Sequence, residues 1–167
     1  MTATTPDTCT PGWAHSAGVL DLQTVGTVPA DVGALADRLL VHETAVRYPV
    51  AYDERRLDVI ESLLTESASF SYRFGEGPLH NQTGRDNVIA WLDGVMQSQP
   101  DQRRHLVGNF LVERLTVDEA IVVSYTAIYG IDKEANLVTT GVYLFKMVKR
   151  DNTWLIDEAV DALDRPF

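Results

Sequence analysis

The chain has 167 residues, 45% apolar and 23% charged, with a formal net charge of −10 and a pI near 4.7. That length suits one domain with a sizeable core, and the composition is that of an ordinary globular protein. An acidic surface repels phosphate backbones and anionic bilayers, so neither nucleic acid nor a membrane is an expected partner. The single cysteine, Cys9, cannot form an internal disulfide or supply a zinc site, so no metal is expected. No apolar run reaches the ~18 residues of a membrane span. The N-terminus has no basic stretch followed by an apolar one, and the expected compartment is the cytoplasm.

Residues 1–29 are rich in Thr, Pro, Gly and Ala without a sustained period and read as a flexible arm, with Trp13 and Leu20-Asp21-Leu22 available to dock. Residues 30–167 read as the folded domain. Asp31 is placed to cap a helix over 31–52, with Val32, Leu35, Leu39, Val46 and Val50 in a 3.6-residue rhythm and Pro49 expected to kink it or end its regular hydrogen bonding. A short helix follows over 57–64, with Leu57, Ile60, Leu63 and Leu64 as its buried stripe. Residues 67–72 alternate serine with Ala68, Phe70 and Tyr72, the pattern of a strand with one apolar face. Gly75-Glu76-Gly77-Pro78 forms a turn, and a third helix spans 85–98 with Val88, Ile89, Trp91, Leu92, Val95 and Met96. Four strands, 104–115, 120–131, 137–149 and 153–162, are joined by short polar connections and predict an antiparallel meander. Helices first and strands after give an α+β fold.

Alternation groups His105, Val107, Asn109, Leu111 and Glu113 on one strand face, Val123, Tyr125, Ala127 and Tyr129 on a second, and Tyr143, Phe145 and Met147 on a third. Turned inward, these faces form an aromatic pocket of the kind that binds small molecules; a plain core fits the same pattern. Tyr52-Asp53 falls at the end of the first long helix, where a carboxylate can orient an imidazole on His105 as a general base while Tyr52 and Tyr72 hydrogen-bond a substrate carbonyl. The same positions also suit a helix-capping Asp53 and a satisfied core His105. His42-Glu43 lacks the second histidine of a metalloprotease motif, His80 reads as exposed loop, and Asp157 and Asp161 on the last strand read as edge charge more than as cavity bases.

Tyr52-Asp53 before a short helix, Ser71-Tyr72-Arg73, Arg104-His105-Leu106-Val107-Gly108-Asn109, Glu113, Asp118-Glu119 and Lys149-Arg150-Asp151-Asn152-Thr153-Trp154 resemble the SnoaL-like part of the nuclear-transport-factor-2-like superfamily, and within it scytalone dehydratase and its bacterial relatives. The resemblance implies a cone-shaped α+β barrel, in which a curved mixed or antiparallel sheet wraps around N-terminal helices. It implies an acid–base role for His105 oriented by Asp53, and carbonyl positioning by Tyr52 and Tyr72. Tyr129-Gly130 stands where that family has a second histidine, and Tyr143 where it has an asparagine. In a ketosteroid-isomerase-like comparison Tyr48 falls at the oxyanion-hole tyrosine, but no carboxylate stands near Tyr72 to serve as base.

The expected function is a cofactor-independent dehydratase, isomerase or cyclase acting on a small cyclic or polyketide-like carbonyl compound in secondary metabolism. His105, Asp53, Tyr52 and Tyr72 are its catalytic candidates. Tyr48, Trp91, Asn109, Tyr125, Tyr129, Tyr143 and Phe145 are the expected substrate contacts. The alternative is a non-catalytic small-molecule-binding or assembly subunit of the same fold. The superfamily implies a homodimer or homotrimer formed through the sheet.

Overall fold

The computed structural model describes residues 10–20 and 31–166. Much of the expected arm, including Cys9 and Asp21-Leu22, lies outside the described residues. The element order is α1 (Trp13–Ser16), α2 (Val32–Asp53), α3 (Leu57–Leu63), β1 (Leu64–Phe74), β2 (His80–Thr83), α4 (Arg85–Ser98), β3 (Gln102–Leu115), β4 (Glu119–Ile131), β5 (Ala135–Arg150) and β6 (Thr153–Leu163). The strands form one curved mixed sheet, ordered β2-β1-β6-β5-β4-β3, that is not closed into a barrel.

The start of α2 follows the expected chemistry: the Asp31 side chain accepts a hydrogen bond from the Ala34 N–H at 2.8 Å. Its buried stripe differs from the expected one. Val41, Ala45, Tyr48 and Ala51 are buried, whereas Val32, Leu35, Leu39 and Val50 are exposed. The helix carries apolar residues on two faces. The face with two small alanines can approach the sheet closely, and that face goes inward. Helix α2 also runs past Pro49 to Asp53. It stops at a left-handed residue, Arg55 (φ 52°), with Arg56 N–H bonded to the Ala51 carbonyl and Arg55 N–H to the Tyr52 carbonyl. This Schellman-type ending satisfies the last carbonyls of the helix and fixes the direction in which Asp53 leaves it.

Strands β3 to β6 make the expected meander, and β1 then adds parallel to β6. The last strand is therefore interior to the sheet, which overturns the reading of Asp161 as edge charge. His80, expected in an exposed loop, is exposed but begins a short strand over 80–83 that pairs with β1 and sets it opposite Tyr72.

Cross-strand register defines the concave face. Phe70, Ala159, Phe145, Val122 and Val112 form one row, and Tyr72, Asp161, Tyr143 and Ser124 form the next. The first of these rows packs with Tyr48, Ile60, Val88 and Leu92 of the helices in the main core. On the convex face, Trp13, Val19 and Leu20 pack against Val123, Val142 and Ala162, so part of the expected arm docks on the back of the sheet.

A β-bulge decides which side chains of β3 face inward. Gly108 pairs with Tyr125 and Leu111 with Val123, so β3 spends one more residue than β4 across this step, and Asn109 sits in the left-handed region (φ 53°). His105 and Val107 precede the bulge and face inward. Phe110 and Val112 take over the inward positions after it, where they pack on the core. Asn109 and Leu111 are thereby turned to the convex face, against the strict alternation expected from sequence. Tyr125, which is 49% exposed, lies on that face too, as does Tyr129 opposite Arg104. These three expected substrate contacts, Asn109, Tyr125 and Tyr129, are not on the concave side.

The bulge gives the first testable outcome. Asn109→Gly keeps the left-handed turn without penalty, whereas Asn109→Val loses about 1–2 kcal/mol of stability in denaturant titration. An Asn109→Val variant as stable as the parent would contradict this account of the strand's face switch.

Candidate active site

The end of α2 meets β3 through one carboxyl group. Asp53 Oδ2 accepts the backbone N–H of His105 at 2.8 Å, and Asp53 Oδ1 lies 2.5 Å from His105 Nδ1. Both side chains are nearly sealed from solvent, at 6% exposure for His105 and 7% for Asp53. Gln102 Nε2 adds a hydrogen bond to the Asp53 carbonyl at 2.7 Å. An acidic side chain is unfavourable at the negative end of a helix. Two donors from β3 offset that penalty here and hold Asp53 in one orientation. The Nδ1 contact assigns Asp53 as the partner of that nitrogen and leaves Nε2 without a protein hydrogen-bond partner among the described residues.

The imidazole sits between two phenols. The Tyr52 ring meets it edge-on at 5.2 Å between centroids, and the Tyr143 ring lies at 6.2 Å. Tyr52 Oη donates to Gln99 Oε1 at 3.1 Å. Burial raises the Tyr52 phenol to about 12 and outweighs the opposing effect of that hydrogen bond. Burial also raises Tyr48 and Tyr143 well above the usual phenol range, with Asp161 adding to both shifts. All three rings therefore remain neutral hydrogen-bonding groups.

Beside them, between α4 and strands β1 and β6, is a cavity of about 410 Å³ lined by Phe70, Tyr72, Phe74, Trp91, Gln99 and Asp161, among others. Tyr72 stacks on Trp91 at 5.0 Å, and Trp91 lies 5.1 Å from Phe70. A space of this size, walled by aromatics with a few polar groups, fits a mono- or bicyclic organic molecule. Asp161 is the cavity's carboxyl group, and burial pushes it well above the usual carboxylate range. Sequence reading ranked it as edge charge ahead of cavity base because a charged residue near the end of a meander resembles an edge residue. The usable signal was its two-residue step from Ala159, on the same face.

The expected catalytic residues fall into two neighbouring groups. His105, Asp53 and Tyr52 form the dyad side, and Tyr72 stands on the cavity wall with Trp91. Gln99 joins them, since it belongs to the cavity wall and to the Tyr52 hydrogen bond. His105 and Asp53 lie behind that Tyr52–Gln99 pair rather than on the wall itself. Tyr48, Tyr143 and Phe145 are packed into the floor of the site, all essentially inaccessible. Asn109 and Tyr125 instead line a larger recess of about 680 Å³ on the convex face under α1. Its acidic group is already engaged, because Asp164 accepts from Trp13 Nε1 at 2.8 Å and also from the Thr140 hydroxyl. The smaller concave cavity, which the Tyr52–Gln99 pair links to the dyad, is the better site for chemistry. Among the described residues no group of three or more His, Cys, Asp or Glu side chains is arranged to hold a metal ion, and no helix is long and apolar enough to cross a membrane.

Comparison with known proteins agrees with this architecture. An uncharacterised protein of Mycobacterium tuberculosis is 26% identical over 134 residues, which span 78% of this chain and 88% of that protein. Among solved structures, the hexachlorocyclohexane dehydrochlorinase LinA-type3 of Novosphingobium barchaimii superposes with a TM-score of 0.67 at 18% identity, covering 81% of this chain and 91% of that one. A Novosphingobium aromaticivorans protein provisionally assigned as a scytalone dehydratase superposes with a TM-score of 0.66 at 20% identity, covering 77% of this chain and 85% of that one. The SnoaL-like domain family matches residues 33–160, and the chain belongs to that family.

Proposed function

We propose that the protein is a cofactor-independent acid–base enzyme, a lyase or isomerase/cyclase, acting on a small cyclic carbonyl compound of the polyketide-like kind. The observation that carries this reading is the His105–Asp53 pair, with Nε2 unpartnered among the described residues and the Tyr52–Gln99 pair standing between the imidazole and an aromatic cavity. The likeness to a dehydrochlorinase and to a scytalone dehydratase candidate supports elimination chemistry on a ring. In the proposed reaction a ligand ring packs against the cavity wall formed by Phe70, Tyr72 and Trp91. A ligand edge reaches Nε2 by displacing the Tyr52–Gln99 hydrogen bond. His105 Nε2 takes the proton from the carbon next to the carbonyl, the C–H electron pair forms a C=C bond, and the carbonyl π pair moves onto oxygen. Asp53 holds the Nδ1–H and stabilises the imidazolium. Tyr52 and Tyr72 donate toward the developing enolate oxygen. The imidazolium then returns its proton, either to a departing β-hydroxyl as water while the carbonyl re-forms, or to another carbon of the ring.

A test that needs no natural substrate is exchange of the α-hydrogens of β-tetralone in D₂O, followed by NMR. The protein accelerates exchange, His105→Ala lowers the rate by roughly 10²–10⁴-fold, and Asp53→Asn lowers it by a smaller factor. Folded variants of both that exchange at the parental rate would overturn the assignment.

One observation favours a second reading. The dyad is sealed behind Tyr52 and doubly bonded to β3, as a structural clasp in a binding or assembly subunit would be. On that reading β-tetralone binds without accelerated exchange, and Asp53→Asn lowers stability alone.

The proposed assembly is a homodimer or homotrimer through the convex face, where Leu106, Leu111 and Tyr125 expose apolar surface. Light scattering reads it: Leu106→Glu combined with Tyr125→Glu yields a monomer, and an unchanged mass contradicts this interface.

A further inference from the structure

We propose that Asp161 is the group that binds the substrate's carbonyl oxygen, donating a hydrogen bond from the O–H of a protonated carboxylic acid. This deepens the reading above and rests on its assignment of the cavity as the substrate site.

The geometry is specific. Asp161 lies on the cavity wall, its Oδ1 is fully buried, and its carboxyl group makes no hydrogen bond among the described residues. Strand register places it between Tyr72 and Tyr143, with Ser124 further along the same row and its hydroxyl also unsatisfied. Phe70, Phe74, Trp91 and Leu163 complete the apolar surroundings. The titratable and charged groups facing it are Tyr72 of β1, Tyr143 of β5, Tyr48 and Tyr52 of α2, and Arg103 of β3. Arg103 is directed to Asp101, with Nε donating to Oδ1 at 2.8 Å. No ion pair for Asp161 occurs among the described residues, and an unpaired ionised carboxylate would be costly in such a place. Burial favours the protonated form.

An acid held in that form has a donor and no acceptor to give it to. A ligand carbonyl provides the acceptor, and the aromatic lining of Phe70, Phe74 and Trp91 packs against the ring that bears it. In the reaction above, the enolate oxygen keeps the Asp161 hydrogen bond, beside Tyr72, while the proton cycles through His105. Asp161 stays protonated throughout, so proton and electron counts are unchanged. The inference predicts selectivity for ring ketones over the same ring without the carbonyl.

Binding and infrared measurements on the full chain test this without turnover. β-Tetralone binds the parent more tightly than tetralin does, and its bound C=O stretch shifts to lower frequency. Asp161→Leu weakens β-tetralone binding about tenfold, equal to about 1.4 kcal/mol, and abolishes the shift. Asp161→Asn, which keeps a donor, binds within about threefold of the parent. The exchange rate reads His105 and the bound C=O shift reads Asp161, so failure of the proton-transfer reading and failure of this one are separable. A folded Asp161→Leu variant with parental affinity and an unchanged shift would overturn the proposal.

Stability gives an arm independent of ligand. The folded state holds the Asp161 proton more tightly than the unfolded chain does, so this contribution declines as pH rises above the unfolded-state value. Asp161→Asn should therefore gain stability relative to the parent, and the gain should grow as pH rises from about 4, the unfolded carboxyl value, into the range above it. A gain that is flat or shrinks over that interval contradicts a protonated Asp161.

Discussion

The structure depends on how the C-terminus of α2 is fastened to β3. Asp53 ends the helix at its negative pole and accepts two hydrogen bonds from one residue, His105, through the backbone N–H and through Nδ1. The fastening does two things at once. It stations α2 across the concave face, so that Tyr48 and Tyr52 face the sheet, and it fixes the imidazole with Nδ1 occupied. The Schellman-type ending at Arg55, on one side, and the Gln102 hydrogen bond to the Asp53 carbonyl, on the other, leave this carboxyl group little freedom.

Around that fastening the cavity divides its polar work between two carboxyl groups in opposite surroundings. Asp53 has donors on both oxygens and pairs with a base. Among the described residues Asp161 makes no hydrogen bond and no ion pair, and burial drives it toward its neutral form. Tyr52 and Tyr143 feel both groups electrostatically and separate them. One carboxyl group thus holds the base in place, while burial keeps the other available as a hydrogen-bond donor. The aromatic wall of Phe70, Tyr72, Phe74 and Trp91 adds shape and a low dielectric, which strengthens both effects.

Local chemistry was readable in the sequence. The Asp31 cap, helix α4 and the polar hairpin connections follow from short-range rules, and all stand where those rules put them. The Tyr52–Asp53 and His105 pairing was readable as a possibility. Long-range geometry was not. Parallel addition of β1 beside β6 depends on contacts about ninety residues apart in sequence, and it turned the last strand from an edge into an interior strand, carrying Asp161 into the cavity. The bulge at Asn109 reversed alternation on β3 and sent Asn109 to the back of the sheet. No periodicity announces such an insertion; a non-glycine residue adopting a left-handed conformation in mid-strand is visible only in the backbone. On α2 the apolar residues offered two stripes, and only the space left by Ala45 and Ala51 decided between them.

The central claim is that Asp53 holds the Nδ1–H of His105 and leaves Nε2 as the basic nitrogen. Nitrogen-15 NMR of the imidazole reads this directly. In the neutral ring the account predicts a protonated Nδ1 and an unprotonated Nε2, a pattern lost in Asp53→Leu. A neutral His105 carrying its proton on Nε2 in the parent protein would contradict the account.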